Sequence, residues 1–318
     1  MSFSVKLIYL TIFSIFIKIR TQITLNCPSV LSPIDTASFS PNYLNIFMQF
    51  IPPTQNSTSS RITISSNLLT FYNADFGKLI INGNSDFKYK ESKLIYTYFS
   101  TQMQISSPSL NKYWGNFTDF ELILSFQLEK KTTNTVFPLL DNLMQNTIKL
   151  AIPIINIPGV NLSESTNMIK NISTFLGNQN NSIINTIYEF KDFDLEKQFT
   201  ENNYLNNFKN FYFYVGNDAY DCRTNILWII MNKFIILPDP YTSMLKTFFI
   251  KYNIDNTQIL NTYYSRYSFP NKNVAIYKNF YINNVTNDLE KILLNSNSGS
   301  TKIKVLKKVL FMMIILLI

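Results

Sequence analysis

Two short segments carry the residues whose types and spacing could do chemistry. Gln102-Met-Gln104-Ile-Ser106 sets two amides and a hydroxyl at alternate positions, and Glu121-Leu-Ile123 pairs a carboxylate with an aliphatic side chain. On a strand, residues two apart point to one face, so each set converges on one side of a sheet. The chemistry open to them is narrow. Hard cations prefer oxygen donors, but one carboxylate supplies too little charge to hold one. The plainer reading is the polar face of an ordinary strand, with Met103 and Ile105 in the core. The chain has no histidine. That excludes Ser–His–Asp and Cys–His catalysis, His-ligated zinc and imidazole proton shuttles. Two cysteines are also too few for a four-ligand structural zinc site.

The elements that must position these residues read as mostly β. At 318 residues and 46% hydrophobic, the chain is long and apolar enough for one large core or two small ones. Short β-branched and aromatic runs recur at 61–65, 78–81, 87–91, 94–99, 102–106, 120–126, 150–157, 210–215, 227–230 and 234–237. Asn82-Gly83 is a hairpin-turn signal between the second and third of these. Helical spacing is clearer at 167–176 and 243–252. Segment 133–147 reads as an insertion, its Phe137–Asp141 portion either a loop with an apolar tip or a short helix packing down. Seven glycines form no phosphate-binding loop, and no repeat is visible. The expectation is one β-rich domain, a large and mainly antiparallel central sheet with short peripheral helices.

Both ends read as processing signals. Lys6 precedes a run of mostly apolar residues from Leu7 to Ile17, the pattern of a secretory leader, assigned to 1–21. At the other end, Asn295–Ser300 is a cluster of small residues, followed by a polar spacer and the apolar tail Val309–Ile318. This matches a glycosylphosphatidylinositol attachment signal, assigned to 299–318, which leaves 22–298 as the mature domain. Both apolar runs are too short to span a bilayer. The secretory reading makes six sequons glycosylation candidates: Asn56, Asn116, Asn161, Asn171, Asn180 and Asn284. In a secreted chain Cys27 and Cys222 suggest one disulfide, the alternative being two free buried thiols. The formal charge of +8 is concentrated at the ends. Lys6, Lys18 and Arg20 belong to or border the leader, Lys302, Lys304, Lys307 and Lys308 lie in the tail, and neither segment holds an acidic residue. The mature domain is left near +1, which removes the case for nucleic acid as a partner.

Taken in order, several segments resemble the α-carbonic anhydrase family. Cys27-Pro-Ser-Val-Leu31-Ser32-Pro33-Ile34-Asp35 is similar to that family's Cys followed by Gln-Ser-Pro-Ile-Asp, with Leu31 in place of glutamine. Tyr214-Val-Gly216, Cys222 and Trp228 follow its Tyr-x-Gly…Cys run and the tryptophan beyond it, one residue shorter. Leu150–Asn161 resembles its Leu-Ala-Val-x-Gly strand and the Gly and Asn after it, and Arg266 with Pro270-Asn271 weakly echoes a late Arg-Pro…Pro-Leu-Asn run. The two cysteines fall where secreted members of the family form a disulfide. Across the family's zinc strands, Gln102, Pro108, Ser109, Gly115, Asp119 and Glu121 agree.

The resemblance implies a zinc site at Gln104, Ser106 and Ile123, where the family has three histidines. It also implies that Glu121 occupies the position that orients a ligand imidazole, and that Leu110 replaces half of the pair that orients zinc-bound hydroxide. An amide, a hydroxyl and a methyl group do not make the donor set that catalytic zinc needs. The expectation is therefore a protein without catalytic residues, zinc or other cofactor. It would be a binding or structural module on the outer cell surface, with a protein or carbohydrate partner and a lipid anchor. The alternatives are an active carbonate dehydratase with a non-standard metal site, and an unrelated β-rich surface antigen.

Overall fold

A computed structural model describes residues 34–36, 42–43, 46–54, 57–72, 74–82, 94–133, 142–156, 167–179, 186–191, 193, 195, 211–218, 223, 225–257, 260 and 277–279. The chain divides into units 1–280 and 281–318, and everything described belongs to the first. The leader, the C-terminal tail, both cysteines and the sequons at Asn56, Asn161, Asn180 and Asn284 lie outside the described residues.

The strands are β1 (Asn42–Tyr43), β2 (Phe47–Ile51), β3 (Ser57–Ile64), β4 (Leu69–Tyr72), β5 (Lys78–Asn82), β6 (Leu94–Ser106), β7 (Lys112–Tyr113) and β8 (Asn116–Phe117). They continue with β9 (Phe120–Thr133), β10 (Thr147–Ile155), β11 (Ile187–Lys191), β12 (Phe211–Gly216), β13 (Ile226–Met231), β14 (Ile235–Ile236) and β15 (Tyr277–Asn279). Two helices are described, α1 (Asn167–Gly177) and α2 (Asp239–Lys251). One sheet runs β1-β15-β12-β13-β10-β9-β6-β4-β3-β11, with β14 on β10, and β5 joining β2 to β6. Pairing is antiparallel except for β1 with β15, and β10 with β13 and β14. The mostly β, mainly antiparallel architecture read from the sequence is the one the chain adopts.

Some boundaries differ. The runs at 94–99 and 102–106 are one 13-residue strand. The partners of β5 are β2 and β6, while the partner expected at 87–91 lies outside the described residues. Helix α2 begins at Asp239 rather than 243, because Pro240 is tolerated in a first turn, where its missing N–H costs nothing. In the 133–147 insertion, Leu143 and Met144 pack into the core, and Phe137–Asp141 is not described.

The sheet's two faces differ in kind. On one, Met103, Ile105, Leu122, Leu124, Phe126, Ile148, Leu150 and Ile152 are fully buried and form a core with Ile169, Ile172 and Leu176 of α1 and Leu245, Phe248 and Phe249 of α2. Apolar spacing of three and four residues turns one stripe of each helix onto the sheet. The helices approach closely at Gly177, where a Cβ would lie 3.2 Å from Met244. The other face carries the residues singled out above.

Of two register shifts between β6 and β9, the β-bulge on β6 decides which residues those are. Along β6, Tyr96 and Tyr98 lie in the core, yet so do Met103 and Ile105. Strict alternation cannot give both, since side chains change sides at every residue. Opposite β9 the register steps from Ser100↔Phe126 to Gln102↔Ser125, leaving Thr101 extra. One additional residue reverses the parity of everything after it. Gln102, Gln104 and Ser106 consequently face away from the core.

Candidate functional site

Cross-strand register assembles the far face of the sheet. Gln102 stands opposite Ser125, Gln104 opposite Ile123, and Ser106 opposite Glu121. Ile123 then pairs with Ala151, and Ser125 with Lys149, which is level with Trp228. The sequence-predicted positions Gln104, Ser106, Ile123 and Glu121 therefore lie on two adjacent strands within one pleat repeat. Leu110 joins them through its backbone, whose N–H donates to Glu121 Oε2 at 3.0 Å. All five are buried, Gln104 at 6% exposure and the other four at 0%.

Glu121 holds the following loop. Its Oε1 accepts from Asn111 Nδ2 at 2.8 Å and from the Tyr113 hydroxyl at 2.6 Å. Asn111 in turn accepts the Ile34 N–H at 3.1 Å. Ile34 and Asp35 of the Ser-Pro-Ile-Asp run, with Thr36 after them, lie along this loop with Asp35 bridged to Lys112. The β7–β8 hairpin turns through Trp114 and Gly115, both at positive φ, as a two-residue turn of that kind requires. Thr36 and Asp35 accept the N–H groups of those two residues, holding a conformation that a tryptophan adopts only at a cost. Burial pushes the Glu121 carboxyl above the usual carboxylate range, against the opposing effect of its hydrogen bonds.

Sequence reasoning missed the charged part of the site. Lys149 Nζ lies 2.6 Å from Asp218 Oδ2, both side chains 2% exposed, and 5.5 Å from the centroid of the Trp228 ring. The indole N–H donates to the Asn217 carbonyl, which fixes the ring beneath the lysine. Arg223 reaches within 3.9 Å of Asp218 from an exposed position. A signal for Lys149 was present, since a lone lysine inside Ile148-Lys-Leu-Ala-Ile is seldom buried without a partner. Its partner Asp218 was not legible, being far away in sequence.

Over Gln104 and this ion pair lies a cleft of about 270 Å³, polar along most of its lining. Two atoms on this face lack hydrogen-bond partners although buried, Gln104 Oε1 and Ser106 Oγ. Zinc, which the sequence resemblance implies, does not fit the residues present. The three positions offer an unpartnered amide oxygen, an unpartnered hydroxyl and a buried isoleucine, and the nearby lysine adds positive charge. Among the described residues, no three His, Cys, Asp or Glu side chains are grouped as a metal site would need. Of the sequons, Asn116 at the β7–β8 hairpin and Asn171 on α1 are described, and both are exposed. Among the described residues no helix is long and apolar enough to cross a membrane.

The architecture is similar to that of solved α-carbonic anhydrases. The enzyme from Thermovibrio ammonificans, in complex with the inhibitor sulfanilamide, superposes with a TM-score of 0.48 at 11% identity, covering 80% of this chain and 88% of that one. The enzyme from Aspergillus oryzae gives 0.46 at 16% identity over 71% and 80%. Dioscorin complexed with ascorbate gives 0.48 at 14% identity over 80% and 87%. No sequence-family profile and no curated protein matches the chain.

Proposed function

We propose that the chain is a carbonic-anhydrase-like domain without hydratase activity, a binding or structural module exported to the cell surface and held there by a lipid anchor. The observation that carries this reading is the side-chain set at Gln104, Ser106 and Ile123. Hydration at neutral pH needs a metal to lower the pKa of bound water to about 7. These three side chains offer no such ligand set. The carboxylate that would steady a ligand imidazole instead ties down the Leu110–Tyr113 loop. The leader and tail patterns support export and anchoring, and the exposed Asn116 and Asn171 support glycosylation.

Metal analysis and a CO₂ hydration assay on the purified protein test it. The expected result is substoichiometric zinc and no hydration above the uncatalysed rate. One bound zinc per chain with inhibitor-sensitive hydration overturns the reading.

A further inference from the structure

We infer that the cleft over Gln104 binds a small, uncharged, hydroxyl-rich molecule the size of one sugar ring. The inference rests on the metal-free reading above and narrows it to a ligand class. Its starting point is the unpartnered Gln104 Oε1, in a side chain more than nine-tenths buried and lining the cleft. Native proteins keep few buried acceptors without a donor, because each forfeits the hydrogen bond it had in water. Thr70 and Gln102 line the same cleft, adding neutral groups that donate and accept.

Charge decides between ligand classes. The formal charges at depth, Lys149 and Asp218, satisfy each other at 2.6 Å. An anion would have to compete with Asp218 for the lysine, and a cation with the lysine for Asp218. Arg223 is 64% exposed and belongs to the rim. Sugar hydroxyls donate and accept through one atom, so they meet a lining of amides and hydroxyls without disturbing the ion pair. About 270 Å³ is room for one ring.

The test uses the whole exported protein, treated with a chelator. Binding is measured by calorimetry and ligand-observed NMR against glucose, galactose, mannose, N-acetylglucosamine and myo-inositol, with acetate and phosphate as the anionic arm. At least one polyol should saturate the protein, without competition from either anion. Gln104→Leu should weaken that binding about tenfold, the loss of one hydrogen bond. Thr70→Val is the second variant should the first fail to fold. The inference falls if no polyol saturates, if only the anions bind, or if a folded variant binds as wild type does. Failure of polyols to bind zinc-free protein leaves the metal-free reading standing, whereas stoichiometric zinc removes both.

Discussion

At the residue scale, Glu121 combines full burial with hydrogen bonds from Leu110, Asn111 and Tyr113, and burial prevails in setting its affinity for protons. A carboxyl whose folded pKa lies above its unfolded value, about 4.3, binds more protons when folded. Stability then declines as pH rises from the unfolded pKa to the folded one, and the penalty is absent below that window. Glu121→Gln removes the titration. The melting temperature of the variant, relative to wild type, should therefore rise as pH increases above about 4, as followed by circular dichroism. Parallel profiles across that range would show that the carboxyl does not titrate there. Its face was legible in the sequence, because alternation along Phe120–Phe126 sets it beside Ile123 and away from Phe120, Leu122 and Leu124; its burial was not. Its partners were not, since Asn111 and Tyr113 reach it through a loop whose path no periodicity describes.

At the scale of elements, β6 and β9 decide the site. The sequence shows two short β runs with a break between Phe99 and Gln102, and the structure makes that break a bulge inside one strand. Alternation already sets Gln104 opposite Met103 and Ile105, but only cross-strand pairing shows that the interruption is a bulge that reverses parity relative to Tyr96 and Tyr98. Strands β1, β2, β4, β7, β8, β11 and β15 escaped notice because each is five residues or fewer and lacks the unbroken aliphatic run that marks the equally short β5 and β14. The register carries a test. Gln104 and Ser106 share a face, and Ile123 stands directly opposite Gln104. Replacing Gln104, Ser106 and Ile123 together by histidine should create zinc affinity, measurable by competition with a chromophoric chelator. A folded triple variant with no gain in affinity would mean that the three side chains do not converge on a point. Hydration need not follow, because Leu110 still occupies a hydroxide-orienting position.

At the scale of the molecule, the secretory reading makes a chemical prediction about Cys27 and Cys222. Thiol titration of the native exported protein should find none, and two after reduction in denaturant. A bridge closing so long a loop is worth on the order of 4–5 kcal/mol in the chain-entropy picture, so reduction should lower the melting temperature markedly. Two titratable thiols in the native protein would remove the bridge and weaken the secretory assignment. The sheet's outer edge has a different bearing. β1 pairs with β15, which also pairs with β12, so residues 42–43 wait for residues 277–278 before that edge exists. Contacts this distant in sequence are slow to form. During synthesis, β12 stays an open edge until nearly the whole chain has left the ribosome, the kind of edge on which another chain can pair. The schedule of translation thus sets how long that edge stays exposed, and a chaperone's protection is most needed just before β15 emerges.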